Sequence, residues 1–393
     1  MNIIPREHWI RQAEYVKQLR PLLPSEAFLP NPNKVWILLI NVAILILGWG
    51  IADHLPQWNG YFWWLYLPLT LVMANSVIVL AFSTHELLHS CAIKNPRLKW
   101  MVSLLGWAIL WTPPTLWKVV HNREHHNKTN SLHDPDRNYL YEQPKNWGKW
   151  VRNLLTPSAE IHPFWLGVGM AHAWGYHTFC NLISVLLFND GLTEFPPAAF
   201  KVSLKERRAI ALEFFVILSI HLSILTYLEF HPVKLLLSYF LPIWIGYSGA
   251  IFYIYTNHLL CRMTSINDPL INSVSIKVPK LFDLLHLNFS YHTEHHIFPG
   301  INSDYYPLVQ ELLKAQYGDR FNLLDAGEAW RLMLQTPRHY KDETTFTDWS
   351  GTKSVTCPLS KANIDEVVQP EFEREAALVG INGCPAPDEV VPL

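Results

Sequence analysis

The sequence predicts an all-α integral membrane protein, with four transmembrane helices in two hairpins, interfacial helices, and a cytosolic helical cap that carries clustered histidines. Three observations predict it. Half of the 393 residues are apolar and only 16% are charged, and the apolar residues gather into a few long runs. Two pairs of runs are joined by turns so short that each pair must fold as a helical hairpin. Lys and Arg crowd into the head segment and the loop between the hairpins, while the two hairpin turns hold almost none.

Residues 1–34 form a cytosolic N-terminal segment with Arg6, Arg11, Lys17 and Arg20; its opening has charges, Trp and Pro where a cleavable signal peptide would need an apolar core. Val35 to Leu55 has one charge near its end and Phe62 to Phe82 has none. Each meets the roughly 20 residues needed to cross about 30 Å of hydrocarbon. The turn Pro56 to Tyr61 pairs them. A second hairpin reads from Ala209 to Phe230 and Val233 to Tyr255, turning at His231 and Pro232; Glu213, Glu229 and His221 weaken its first span. Leu98 to Leu116 and Phe164 to Phe188 are also long, but Pro, Lys, Gly and His interrupt or flank them, and both read as interfacial or re-entrant. A lone crossing by either would divide the histidine groups between opposite faces. The expected organisation is a membrane domain at 35–310 with spans near 35–55, 62–82, 209–230 and 233–255. A cytosolic helical extension at 311–341 follows, then a loosely ordered tail at 342–393, rich in Thr, Ser, Pro and Glu.

Five scattered cysteines indicate neither a disulfide framework nor a thiolate metal site. A net charge of −2 and the lack of a basic patch with interleaved aromatics exclude a nucleic-acid partner and leave membrane and small molecules.

Of nineteen histidines, eight fall into three tight groups: His85-Glu-Leu-Leu-His89, His121-Asn-Arg-Glu-His125-His126, and His292-Thr-Glu-His295-His296. Spacings of three or four put imidazoles on one helical face. Neutral imidazole suits iron, copper, zinc or nickel. One ion takes four to six ligands, so eight imidazoles imply two metals. A redox metal, iron, gives a reason to hold the site beside a membrane in which apolar substrates dissolve, although spacing alone does not name the metal. Glu86, Glu124, Glu294, Asp134 and Asp136 sit beside these histidines and are candidates to accept the second N–H of a ligating ring; solvated helix faces explain the same acids equally well.

At these spacings and between two hairpins, HELLH, HNREHH and HTEHH resemble the three histidine boxes of the membrane fatty acid desaturase and hydroxylase superfamily. The surrounding LNFSYHTEHHIFPG and HHNKTNSLHDPD are also similar to that family, and the resemblance covers roughly residues 35 to 310. It implies four spans with the site and both termini on the cytoplasmic side. It further implies two iron ions cycling between Fe2+ and Fe3+, O2 as co-substrate, and oxidation of an unactivated C–H bond in a lipid acyl chain. Desaturation is the favoured outcome because box three and its IFPG continuation look desaturase-like; hydroxylation of a fatty acyl, carotenoid or hydrocarbon substrate is the alternative. The family typically adds a ninth histidine at the end of the fourth span, where Thr256-Asn257-His258 stands. His258 is the candidate, with Asn257, holding a metal-bound water as in some relatives, and His286 as alternatives. The expected metal set is therefore His85, His89, His121, His125, His126, His258, His292, His295 and His296. Isolated His133, His162, His172 and His177 are left out of the metal set, with lining of a substrate path the alternative for His172 and His177 on their amphipathic segment.

No dinucleotide-binding glycine fingerprint and no His-Pro-Gly-Gly segment of cytochrome b5 type is present, so an external electron donor of ferredoxin or cytochrome b5 type is implied. HELLH alone also fits the H-E-x-x-H of a zinc protease with Glu86 as base, but that leaves two boxes unexplained. Ligation without turnover, as in a metal sensor, is the non-enzymatic reading. Trp63, Trp64, Trp107, Trp111 and Trp117 could line an apolar tunnel, although an interfacial belt explains most aromatics of this kind.

Overall fold

The computed structural model describes residues 9–136, 146–187, 200–337 and 339–359. Among the described residues, four helical stretches are long and apolar enough to cross a bilayer: Asn33–Gln57, Gly60–His89, Leu204–Tyr227 and Pro232–His258. Their edges differ from the expected spans by a few residues at the turns. Spans two and four run further at the other end, because apolar helix continues without a break into the histidine-bearing residues.

In chain order, α1 (Gln12–Leu19) precedes α2 (Asn33–Ala52), and a 3-10 run from Gly60 leads into α3 (Leu67–His89). Asn59 starts that run by accepting from the Tyr61 N–H at 3.2 Å. Helix α3 is the inner helix of the bundle: 61% of its most apolar stretch is buried by protein, against 28% in the first and third spans, whose remaining surface is left to lipid. Next come α4 (Pro96–Ala108), α5 (Pro114–Trp117), a π-helical turn at Lys118–His125, α6 (His126–Lys128), α7 (Asn146–Leu155) and α8 (Pro163–Leu187). Thirteen residues make α4 about 20 Å long, short of the hydrocarbon thickness. Helix α8 is one unbroken 25-residue helix packed along the fourth span. It approaches α7 at Gly169, where a Cβ would lie 2.0 Å from the Leu154 carbonyl oxygen.

The second hairpin is α9 (Leu204–Tyr227), opened by a capping box from Ser203 and Glu206, then α10 (Pro232–Leu235), a π turn, and α11 (Leu241–His258). The polar residues that weaken span three in sequence are its anchors. Glu213 accepts from Trp100 Nε1 (2.8 Å) and from the Thr115 N–H and hydroxyl (2.9 and 2.6 Å). The His221 ring pairs with the Tyr239 hydroxyl at 2.7 Å and the Ala108 carbonyl at 2.9 Å. Groups so paired can stay buried in an apolar layer. Lys234 Nζ reaches Asp53 (2.7 Å) and Glu229 (2.8 Å), tying the two hairpin turns together.

Beyond α11 lie α12 (Pro269–Asn272), strand β1 (Ser275–Lys277), α13 (Lys280–Leu285), α14 (His292–Ile297), α15 (Tyr306–Tyr317), strand β2 (Leu323–Asp325) and α16 (Ala326–Met333). β1 pairs in parallel with β2. An antiparallel meander follows: β3 (His339–Asp342), β4 (Thr345–Thr347) and β5 (Ser354–Thr356).

Contacts in the structure cross three of the expected boundaries. No division falls at 310, because α15 runs through it and the β1–β2 pair ties residues on both sides together. Nor does order end at 342: Phe346 and Cys357 are buried against α8 and α11, with Tyr340 donating to the Cys261 carbonyl at 2.5 Å. The rest of the expected tail, 360–393, lies outside the described residues. The N-terminal segment is also part of the domain. Tyr15 donates to buried Asp268 at 2.9 Å and Gln12 to the Ile297 carbonyl at 3.1 Å, so α1 packs on the element that carries box three. Cys180 and Cys261 are buried thiols and Cys357 donates its thiol to the Leu260 carbonyl at 2.6 Å, while Cys91 is disulfide-bonded, a bond that the scattered spacing did not indicate.

Candidate metal centre

Four pieces of chain deliver the nine expected histidines to one place. His85 and His89, one turn apart, close α3; His258 closes α11; His292, His295 and His296 make up half of α14. Box two forms the π turn, in which the His126 N–H bonds to the His121 carbonyl five residues back. That wider turn sets the direction of each ring. His121 and His126 face each other, Nε2 to Nε2 at 3.2 Å, while His125, its ring stacked on that of His121 at 5.0 Å, also groups with His258, His292 and His296. The result is two adjacent clusters. One holds His85, His89, His121 and His295, with His126 Nε2 3.1 Å from His295 Nε2. The other holds His125, His258, His292 and His296. His286 lies outside both, its ring nitrogens paired with the Tyr253 hydroxyl (2.8 Å) and Asn75 Oδ1 (3.2 Å).

The nitrogen geometry tests whether these rings suit a cation. The His258 Nδ1 faces the Asn272 carbonyl at 2.8 Å, which only accepts, so that nitrogen carries the proton and Nε2 presents a lone pair. His125 Nδ1 sits 3.0 Å from both Asp134 oxygens, and His121 Nδ1 3.1 Å from Asp136 Oδ2. Their Nε2 atoms are therefore lone pairs as well. Yet Nε2 meets Nε2 at 3.0 Å between His85 and His121, 2.8 Å between His292 and His258, and 3.0 Å between His296 and His292. A spacing this short suits an N–H···N hydrogen bond when the facing ring carries its proton on Nε2, and it suits equally two lone pairs directed at one cation. Two nitrogens each about 2.1 Å from one ion and roughly at right angles would be about 3 Å apart. The donor set fits a pair of imidazole-bound metal ions.

Electrostatics keep most of the rings in the neutral, ligating form. Burial lowers the pKa of His121, His126, His292, His295 and His296, and for the last four neighbouring imidazoles push the same way. His125 is the exception: burial pulls it down, but the Asp134 carboxylate outweighs that and raises it. Burial would raise Asp136, yet hydrogen bonds from His121 and His177 bring it well below the carboxylate range. Glu294 is pushed up to about 7 by burial.

Of the five acids expected to buttress the rings, Asp134 and Asp136 do so. Asn130, at φ 53, helps hold Asp134 by donating its N–H to it at 2.7 Å. The other three look elsewhere: Glu86 accepts from Ser303, Glu124 pairs with Arg123 and Lys128, and Glu294 accepts from Gln310 and Ser275. Sequence reasoning passed over His177, whose Nε2 is 3.1 Å from Asp136 Oδ1, and Tyr306, whose hydroxyl is 3.1 Å from His295 Nδ1. An isolated histidine and a tyrosine ten residues past a box carry no spacing signal. His172 bonds to its own helix at the Val168 carbonyl, and His133 is exposed. Asp136→Asn removes the charge behind His121 while keeping an acceptor, and is expected to weaken iron retention roughly 10–100-fold, read as iron content after dialysis against a chelator.

A cavity of about 140 Å³ borders both clusters, with His85, His121, His125, His258 and His292 at one end. Its walls include Phe82, Trp107, Trp117 and Trp174, and Trp107 stacks on Trp174 at 5.5 Å. Asn257 lines it too, its buried Oδ1 without a hydrogen-bond partner among the described residues. Of the tryptophans singled out in sequence, Trp107 and Trp117 are cavity walls, Trp64 is exposed by the first hairpin turn, and Trp111 stacks on His221 at 3.8 Å.

The family described as fatty acid desaturase matches residues 61–324, more than half of the chain. The chain belongs to the fatty acid desaturase family. This desaturase-family protein is 23% identical over 365 residues to the chloroplastic omega-6 fatty acid desaturase of Spinacia oleracea, covering 89% of this chain and 74% of the relative. It is 24% identical over 160 residues to the sn-1 oleoyl-lipid 12-desaturase of Anabaena variabilis, covering 39% of this chain and 42% of that protein's length. Membership makes it a membrane-bound oxidoreductase of lipid metabolism and implies iron and a lipid acyl substrate.

Proposed function

We propose that this protein is an O2-dependent diiron desaturase that introduces a C=C bond into the acyl chain of a membrane lipid. The observation that carries the reading is the convergence of imidazole nitrogens, 2.8–3.2 Å apart, in two adjacent clusters beside an apolar cavity. His85, His89, His121, His126 and His295 would hold one iron, and His125, His258, His292 and His296 the other. When bound, the irons supply the redox chemistry that uses dioxygen to oxidise an unactivated C–H bond. The chain's own residues orient and exclude. Asp134, Asp136 and the Asn272 carbonyl fix ring tautomers and aim the Nε2 atoms, and Trp107, Trp117 and Trp174 present an apolar wall that holds an alkyl chain and keeps water out. Asn257 is placed to orient a water or substrate group between the clusters.

Removing two hydrogens from adjacent carbons with one O2 yields two waters and takes two electrons and two protons from outside. The electrons are assigned to an external donor of ferredoxin or cytochrome b5 type. We infer that the histidine side, with both termini, faces the cytoplasm, since Lys and Arg concentrate in the segments on that side and the hairpin turns lie on the other. The name of the Anabaena variabilis relative supports an oleoyl-lipid as the first substrate to test.

The test is mass spectrometry of lipids from cells with and without the protein, in a host with a compatible donor. Loss of two hydrogens from one acyl chain is expected. A gain of oxygen would instead assign hydroxylation, and acyl lipids unchanged in the presence of iron-loaded protein and donor would overturn the reading.

A further inference from the structure

Helix α13 has the sequence Lys-Leu-Phe-Asp-Leu-Leu, and four of its apolar side chains are exposed: Leu281 (61%), Phe282 (44%), Leu284 (76%) and Leu285 (38%). On a water-facing cap such a patch would mark a contact site. Its depth identifies what it contacts. His286, which follows the helix, is held by Tyr253 of the fourth span and Asn75 of the second. Asn75 lies eleven residues before Glu86 on α3, about 16 Å along the axis. Glu86 belongs to a charged layer: Ser303 donates to it, and Lys34 Nζ reaches both Ser303 (3.1 Å) and Asp304 (2.6 Å). Helix α13 therefore ends, through His286, on the hydrocarbon side of that layer, beside α3 and α11.

Burial along α3 agrees. Leu71 and Val72 are exposed at 58% and 49%, whereas Ser76 to His85 are all buried. The exposed face of α13 thus continues the lipid-facing surface of the second span one layer further out. The charged residues near it are consistent with this setting. Exposed Lys277 and Lys280 have stems long enough to carry their ammonium groups toward the headgroups, and the Asp283 carboxylate accepts from the Ser290 hydroxyl.

We propose that α13 is a membrane-inserted wedge whose leucines and phenylalanine contact the acyl chains of the surrounding bilayer. It lies close to the reaction site. His286, Phe82, Phe289 and His85 form a continuous run of rings with successive centroid distances of 6.0, 3.8 and 5.4 Å. The turn at Leu287 and Asn288, with φ 57 and 58, brings the chain back from the wedge to Phe289. Bilayer hydrocarbon at α13 is then separated from the first histidine cluster by an aromatic layer, the position from which a lipid-borne chain would approach sideways.

The experiment places a fluorescent non-natural amino acid at position 284 of the full-length protein, in nanodiscs of phosphatidylcholine with brominated acyl chains. Leu284 is the most exposed of the four, so its replacement removes little packing. Position 311, an exposed glutamate on α15, gives the water-facing reference. The acyl bromines are expected to quench the probe at 284 several-fold more than aqueous iodide does, with the reverse at 311. Iodide quenching at 284 equal to that at 311, without bromine quenching, would overturn the proposal and point to a surface for a soluble partner. Because the readout needs no turnover, either result leaves the desaturase reading standing.

Discussion

His125→Ala and His295→Ala are each expected to abolish desaturation and to lower bound iron, while His54→Ala leaves both unchanged. The two substitutions strike different clusters. The His125 ring lies 4.8 Å from that of His258 and 5.0 Å from that of His296. Its loss also strands Asp134, a carboxylate only 1% exposed, without its partner. The His295 ring lies 4.6 Å from that of His85, and its Nδ1 engages Tyr306. Removing a ligand should cost more than the roughly 10–100-fold lost with an outer partner. His54 sits exposed at the first hairpin turn, on the opposite side of the bundle. Iron per chain and product formation, measured on the same preparations, provide the check. Full activity in both box variants would sink the site assignment.

The second large effect is expected from a residue that touches no histidine. At Gly246 in α11 a Cβ would lie 2.5 Å from Val77 Cβ and 2.9 Å from the Ala74 carbonyl oxygen. Backbone atoms of a packed helix cannot turn aside, so Gly246→Ala must push α11 away from α3. His258 rides on one helix and His85 and His89 on the other, so the separation is felt at both clusters. A loss of about 1–3 kcal/mol of stability is expected, together with poorer iron retention. Gly249→Ala is the comparison: its Cβ would meet Ile78 Cδ1 at 2.2 Å, the end of a side chain that can rotate. Thermal unfolding in detergent with iron content alongside separates the two. Equal tolerance would show that close helix spacing does not hold the clusters together.

Much of this was legible in the sequence because the signals are local. Apolar runs of 20 residues, the hairpin turns and the three histidine boxes are each local in the chain, and they located the spans and picked out rings that the fold brings close together. The sorting of those rings was not legible. An α-helical reading of box two puts His121 and His125 on one face, and their rings do stack, but the four-histidine groups into which each falls depend on residues from other elements. The same limit explains His177 and Asn272, which reach the site from α8 and α12 through tertiary contacts without a periodic trace. Residues 342–359 misled for a related reason: a Thr- and Ser-rich stretch reads as unstructured until Phe346 and Cys357 find the apolar surface of α8 and α11.

The distribution of rings over four separate pieces of chain also fixes an order for biogenesis. Helix α14 contributes His295 to one cluster and His292 and His296 to the other, and it follows the fourth span in the chain. Neither centre is complete while the nascent protein is still entering the bilayer. Both hairpins precede α14 in the chain, so its three histidines are the last of the nine rings to be made. The sites that would hold the proposed irons are therefore complete only after all four spans have been synthesised.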